Sequence, residues 1–518
     1  MYKNFKFYLI LFFFSTASVS ISIYQSLFIY DGFHWGLVFA NAIDFLDGKL
    51  PYKEIFIHYG FVTTFIHALV VWLSNYKMLS LMIFTSLIYS LTIIQFFFLV
   101  KKLFNIEIAS IIIIFLYLIH PFPSYPWHNY ILFFFFITFL NLRFMNQNLT
   151  NFISGIMLAL CVLTSEVFFV LLLIILLVEF FLNINNKNKI LIIIAGITTI
   201  IFIFFFILIS KDLFNEWLVH RKITSVILQE QNLIDVFLYF IKNYFKLSFT
   251  NFFTEPYRII GGISVFFSFL MILSSIKKKE KKNNDQLFLL INISSIFFYY
   301  TMLHQDNLFR FATGPVIGVI SIFYYIERIK EYNIKRNLIF ILLLVACLSN
   351  PFEKINNGNK NYVRKNMRED YILSDNFKLF KKHFWKKEVW NNLTAYKTHL
   401  VENSCKDYYF ANLSLNGFYY IIARDLKFKT FQKIPWYVDN IYGNSLFNTF
   451  DKKFFIQLEK NLNNKNIIVL AEENSKNTIK YNNKTYYMND YIKISLPHDG
   501  QLNNLANLIL FFPEKCKL

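Results

Sequence analysis

From about residue 5 to about residue 349 the chain repeats one pattern: an apolar run of roughly 13 to 26 residues, then a short polar break. The runs are continuous instead of alternating, so they read as helices. In lipid a backbone must satisfy its own hydrogen bonds, which leaves helices or closed barrels as the spanning structures. Composition agrees, at 56% hydrophobic and only 16% charged residues, with 65 Phe and 32 Tyr. The formal net charge of +19 would suit a nucleic-acid binder. Its lysines, however, cluster at the ends of apolar runs and in the C-terminal part, so they are better read as orienting the chain in a membrane.

Phe5 to Tyr30 follows Lys3 and Lys6 and reads as a retained signal anchor with its amino terminus inside. The next apolar run, Phe61 to Leu73, is about 13 residues, short of the roughly 20 needed to span, and carries Thr64, His67 and Ser74 in one helical stripe. The alternative is a second span ending near Lys77, which would place Lys101 and Lys102 outside. Trp35 to Leu46 has a similar stripe of Asn41, Asp44 and Gly48. Both are expected to be helices lying in the membrane interface. Spans then follow near 79–100, 106–120, 130–145, 151–165, 167–183, 189–210, 258–276, 286–303, 312–327 and 336–349. With the first, this makes about 11 transmembrane helices. Lys101, Lys102, Arg143, Lys187, Lys189, the Lys277 to Lys282 cluster, Arg328, Lys330, Lys335 and Arg336 all fall on the inside, as the positive-inside rule requires. Long loops at 31–78 and 211–257 fall outside. So do the turns near 120–130 and 304–315. The expected location is the cell (plasma or inner) membrane, with the C-terminal domain outside the cytoplasm.

From Asn350 the composition changes to Lys, Asn, Asp and Tyr. Tyr408 to Leu413 and Ile467 to Leu470 resemble strands, and Asp451 to Leu462 an amphipathic helix. Thr478 to Tyr487, broken by Asn482-Asn483, resembles a hairpin. The expected division is a transmembrane domain at 1–349 and a small external α/β or α+β domain at 350–518. Cys161 and Cys347 lie inside apolar runs as packing residues. Cys405 and Cys516 either staple the external domain as a disulfide or stay as two thiols.

The chain has no phosphate-cradling glycine loop, CxxC pair, HExxH or GxSxG. No cofactor is expected, and no metal-ligand spacing supports a divalent ion. The pair His120 and His128 reads as an aromatic interfacial turn. Candidate chemistry therefore rests on ionisable groups held at the membrane, where they are costly. Asp31 is either a base or a helix N-cap; His34 lies three residues on. Glu54 and His58 share the second half of the first loop, and Asp44 and Asp47 read as the solvated face of the interfacial helix. Glu166 interrupts an apolar region at an expected outer turn. His304 and Arg310 bracket another outer cluster, where an Arg fork would suit a lipid phosphate. His220, Arg221 and Lys222 form a second phosphate candidate, or a headgroup contact.

An aspartate just after the first span, then Gly48-x-x-Pro51-Tyr52-x-x-x-Phe56-x-x-Tyr59-Gly60 and a short apolar helix, resembles bacterial membrane glycosyltransferases of the GT-C superfamily. The resemblance is to family-39-like proteins, relatives of protein O-mannosyltransferases and the lipid A aminoarabinose transferase. It departs in having Asp31-Gly32 and His58-Tyr59-Gly60 where relatives often have Asp-Glu and a His-Pro-Pro-like element. The resemblance implies an α-helical polytopic fold and a polyprenyl-phosphate sugar donor reached from membrane lipids. It also implies an extracytoplasmic acceptor (glycan, lipid or protein) and no nucleic-acid partner. On that reading Asp31 is the general base of an inverting transfer, and His34, Glu54, His58, Tyr59, Glu166 and His304 contact substrate. Arg310, Arg221 and Lys222 then hold the lipid phosphate. Rival readings are a flippase of lipid-linked sugars, a polysaccharide polymerase or ligase, and a membrane scaffold.

Overall fold

The computed structural model describes residues 2–28, 34–57, 59–120, 125–145, 147–182, 187–218, 220–221, 238, 241–246, 248, 257–277, 283–302, 308–328, 371–374, 378–402, 407–413, 417–430, 452–472, 478–481, 484–496 and 508–516. The apolar runs fold as α1 (Tyr2–Ser26), α4 (Leu79–Leu103), α5 (Ile106–Ile119), α6 (His128–Arg143), α7 (Asn148–Thr164), α8 (Phe168–Leu182) and α9 (Lys187–Ser210). Then come α10 (Tyr257–Lys277), α11 (Asn283–Met302), the short α12 (Leu308–Ala312), a 3-10 turn at Pro315–Gly318, and α13 (Val319–Arg328). The two short helices of the first loop are α2 (His34–Leu46) and α3 (Phe61–Leu73).

Among the described residues four helical stretches, Phe5–Ser26, Leu79–Leu103, Lys187–Ser210 and Arg258–Ser275, are long and apolar enough to cross a membrane. The chain is a helical membrane protein. Helices α5, α7 and α8 are apolar but shorter, so length alone does not carry the count to eleven. The expected span at 336–349 lies outside the described residues.

By its internal contacts the chain sorts into two compact units. The first comprises Met1–Ser26, Met82–Phe205 and Asn232–Arg364. Here α1 is held by hydroxyls as well as by apolar surface: Ser15 meets Ser90 at 2.5 Å and Ser22 meets Ser86 at 3.0 Å, both on α4. Such small polar pairs let helices approach closely where lipid offers no hydrophobic drive. Gly155 on α7 and Gly196 on α9 do the same with backbone. A Cβ at either would lie 2.1 Å from a carbonyl oxygen of the other helix. Arg143 and Glu179 form a bidentate pair, each 1% exposed, so a potentially costly charge is neutralised inside the unit.

The second unit comprises Leu27–Leu81, Phe206–Gln231 and Lys365–Leu518. Its C-terminal part contains β1 (Tyr371–Leu373), β2 (Phe384–Lys386), α14 (Lys387–Glu402), β3 (Tyr409–Asn412), α15 (Gly417–Asp425) and β4 (Lys429–Thr430). Beyond these come α16 (Lys452–Asn463), β5 (Ile467–Glu472), β6 (Thr478–Tyr481), β7 (Lys484–Tyr487), β8 (Tyr491–Ser495) and β9 (Leu508–Pro513). Five strands form one mixed sheet in the order β4-β3-β5-β9-β8. Strands β4, β3 and β5 are parallel; β9 runs antiparallel to β5 and β8. All six β9 residues are buried, which is why that run is apolar without alternation. The strands and helix expected from sequence are present, and β6 and β7 form the expected antiparallel hairpin. Cys516 is disulfide-bonded and Cys161 is a free buried thiol; Cys347 and Cys405 lie outside the described residues.

The first loop belongs to this second unit, and the C-terminal segment ties down both of its ends. The Phe384 amide donates to the Leu27 carbonyl at 2.8 Å, with Phe28 and Phe384 stacked 5.1 Å apart. At the other end the Met78 amide donates to the Leu379 carbonyl at 3.2 Å. Between them α2 crosses α15 in backbone contact, where a Cβ on Gly417 would lie 2.8 Å from the Gly36 carbonyl carbon.

Candidate functional site

The GxxPYxxxF stretch builds a closed turn whose aromatic residues face the second loop. Gly48 takes φ +84°, which favours glycine, and lets the chain leave α2. The Leu50 carbonyl then accepts from the amides of Glu54 (2.8 Å) and Ile55 (3.1 Å), and the Tyr52 amide donates to the Ile55 carbonyl at 3.0 Å. Asn41 of α2 braces the far side, its amide donating to the Phe56 carbonyl at 2.9 Å. Closing so tightly forces Tyr52 to φ +65°, a left-handed backbone that costs a non-glycine residue about 1–2 kcal/mol.

Tyr52 and Phe56 are both buried, and both meet His220, their ring centroids lying 5.3 Å and 4.4 Å from its imidazole. The adjoining Arg221 lays its guanidinium over the Tyr52 ring, 5.8 Å from the centroid. An Arg221 N–H also donates to His220 Nδ1 at 3.2 Å, which places that imidazole's own proton on Nε2. Burial holds the His220 pKa down to about 3 and lifts the Tyr52 phenol to about 12, despite the Arg221 charge pulling the phenol the other way. At neutral pH Tyr52 and His220 are therefore uncharged, and Arg221 contributes a positive charge. The described residues give the Tyr52 hydroxyl no hydrogen-bond partner.

A second group of charges sits on α2. Asp44 is 1% exposed, which overturns its reading as part of a solvated face. Its carboxylate accepts from the Tyr420 hydroxyl (2.8 and 3.0 Å) and from Lys49 (2.9 Å), and Arg424 lies 3.5 Å away. Arg424 also pairs with Asp47, whose side chain is half exposed. Tyr420 and Arg424 stand one turn apart on α15, so that helix covers the polar stripe of α2 instead of water covering it. Burial, and then the Asp44 charge, push the Tyr420 pKa up, so it remains a donor.

The remaining predicted residues are distributed as follows. Asp31, His58, Lys222 and His304 lie outside the described residues. His34 is the first residue of α2. Glu54 is exposed and its carboxylate accepts the Leu50 amide at 2.7 Å, a turn staple. Tyr59 is half-buried just before α3. In the first unit, Glu166 sits half-buried in the turn between α7 and α8. Arg310 of α12 lies over the Trp127 ring at 5.7 Å, so α12 meets the residue that precedes α6. His120 there is a packing residue, stacked on Tyr89 at 3.9 Å with its Nε2 3.0 Å from the Tyr130 hydroxyl. Among the described residues no three His, Cys, Asp or Glu side chains converge in a way that could hold a metal ion.

No family model matches the chain, and no curated protein does. A solved structure does. The oligosaccharyltransferase of Archaeoglobus fulgidus, crystallised with a tethered acceptor peptide containing the NVT sequon, superposes with a TM-score of 0.52. The match covers 91% of this chain and 69% of that one, at 12% sequence identity. The chain therefore shares the fold of that oligosaccharyltransferase. This likeness takes in the C-terminal region as well as the apolar helices, given the 91% coverage.

Proposed function

We propose that the protein is a membrane glycosyltransferase that moves a sugar from a polyprenyl-phosphate donor to an acceptor on the extracytoplasmic side. The carrying observation is the fold shared with that oligosaccharyltransferase over nearly the whole chain. The Gly48 to Gly60 motif, which resembles family-39-like enzymes, supports it by forming a constrained turn against a cationic loop. The bonded Cys516 supports an external C-terminal domain, since disulfides persist in oxidising compartments.

In this reading Asp31 takes the acceptor hydroxyl's proton as its oxygen attacks the anomeric carbon, and the lipid phosphate leaves from the opposite face, inverting that centre. Cationic side chains among Arg221, Lys222 and Arg310 stabilise the charge that grows on the phosphate. His34, Glu54, His58, Tyr59, Glu166 and His304 are the substrate-contact candidates. The C-terminal unit supports the site by anchoring Phe28 and α2, the described residues on either side of Asp31.

The test is sugar transfer from radiolabelled polyprenyl-phosphate sugars by the purified protein in nanodiscs, with envelope extract as the acceptor source. Wild type should transfer label. Asp31→Asn should lose about 100-fold or more while melting like wild type. Movement of the labelled lipid between leaflets without transfer would make the protein a flippase and overturn the proposal.

A further inference from the structure

The short turn that leads into β2 has two faces. Phe380 and His383 are buried in the second unit, while Lys378, Lys381 and Lys382 are exposed. The turn is braced from within. The Ser374 hydroxyl donates to the Phe380 carbonyl, and the Lys381 and His383 amides donate to the Lys378 (3.5 Å) and Phe380 (3.2 Å) carbonyls. The Leu379 carbonyl accepts the Met78 amide, which brings the exposed Lys77 alongside. Among the described residues none of these four lysines forms an ion pair. Like charges gathered this way repel one another, so the folded unit by itself gains nothing from them.

Chain connectivity fixes where the cluster stands. Leu27, whose carbonyl accepts the Phe384 amide, directly follows a helix long and apolar enough to cross a membrane, and Met78 directly precedes another. The stretch 379–384 is thus bonded at each end to a residue at the boundary of a span. Lys77 also closely follows α3, whose last residues, Trp72 and Leu73, are 58% and 70% exposed. Exposed apolar side chains flanked by unpaired cations suit the headgroup region of a bilayer. There the apolar groups enter the acyl boundary and the ammonium groups meet phosphates.

We infer that Lys77, Lys378, Lys381 and Lys382 form a basic patch that docks on the anionic phospholipid surface around the protein, holding the C-terminal segment to the membrane at both ends of the first loop. Exposed ammonium groups on flexible stems act as point charges, which suits many headgroups at once; selecting one lipid calls for a planar fork. The inference does not rest on the glycosyltransferase reading. Whichever side of the membrane the end of α1 reaches, the patch reaches too.

The test uses the full-length protein in nanodiscs of phosphatidylcholine alone or with about 30% phosphatidylglycerol, and reads each lysine by mass spectrometry after a pulse of an uncharged amine-acylating reagent. The four lysines should be acylated at least about fivefold more slowly with phosphatidylglycerol, the gain expected for one lysine at an anionic surface. Lys427 and Lys515, exposed elsewhere in the same unit, should change less than about twofold. About 1 M salt, which screens charges beyond about 3 Å, should remove the difference. Exchange of the Met78 and Phe384 amides should slow with phosphatidylglycerol in wild type. Replacing all four residues together (Lys77→Gln, Lys378→Gln, Lys381→Gln and Lys382→Gln) should abolish that lipid dependence, and the matching set of Lys→Arg changes should keep it.

Equal acylation of the four lysines in both nanodiscs would overturn the patch, and so would equal slowing at Lys427 and Lys515. Should the glutamine variant melt early, the wild-type acylation pattern and its salt dependence decide the matter. Full slowing by a trace of polyprenyl monophosphate in phosphatidylcholine alone would overturn the docking surface in favour of a site for one lipid.

Discussion

Asp44 shows how a local pattern misleads. On α2 it shares a face with Asn41, and a polar stripe beside a membrane ordinarily faces water. In the structure that stripe faces α15, whose Tyr420 and Arg424 lie far along the chain. Of its partners only Lys49 is near Asp44 in sequence, and Tyr419-Tyr420-Ile421-Ile422 reads locally as any buried run. The His220 and Arg221 pair is legible because adjacent ionisable groups in an apolar chain stand out. That Tyr52 meets them is not, since it depends on how two distant loops fold together. Removing the Asp44 carboxylate would leave Arg424 and Lys49 partly buried without their shared counter-charge. Asp44→Ala should therefore cost about 3 kcal/mol or more, and Tyr420→Phe about 1–2 kcal/mol. Thermal unfolding in detergent checks both, and equal melting of Asp44→Ala and wild type would show the network to be inert.

At the scale of elements the sequence is informative wherever a run is long or strictly periodic. The helices from α4 to α11 coincide with apolar runs set off by polar residues, and α3 has the bounds its short apolar stretch implies. Its exposed side is apolar, with Phe65, Leu69, Trp72 and Leu73, while Thr63, Thr64 and His67 are buried. That inversion is what a helix resting its apolar side on lipid requires. Helix α14 and strand β9 carry weaker signals. The first is amphipathic in a Lys-rich, Asn-rich background, and the second lacks the alternation that marks a half-buried strand. Glycines at crossings are equally silent, because close backbone approach leaves no periodic trace. At the α2–α15 crossing neither backbone can yield without moving its helix. Gly417→Ala should destabilise by about 1–3 kcal/mol, read as an earlier thermal unfolding in detergent. An alanine variant with wild-type melting would mean the helices part easily there.

For the whole molecule, the boundary between membrane domain and external domain expected near residue 350 differs from the grouping the contacts give. Leu27–Leu81 and Phe206–Gln231 fold with the C-terminal segment, so three stretches far apart in sequence make one unit. This unit also holds His67, His220 and His383, all enclosed, each with a pKa held down to about 3 by burial against an ordinary 6.5. An unfolded chain takes up these protons near pH 6.5, whereas the folded chain resists them until near pH 3. Their contribution to stability is thus complete above the unfolded value. It is lost as pH falls through the window below it, at up to about 1.4 kcal/mol per pH unit for each histidine. Hydrogen exchange should show α2, α3 and the five-stranded sheet loosening between about pH 6.5 and about pH 4.5, with α4 to α8 less affected. His383→Gln removes one titrating ring and should flatten the acid limb by about a third. Uniform protection across both units throughout that window would show that these imidazoles accept protons in place, and that burial does not govern the molecule's response to acid.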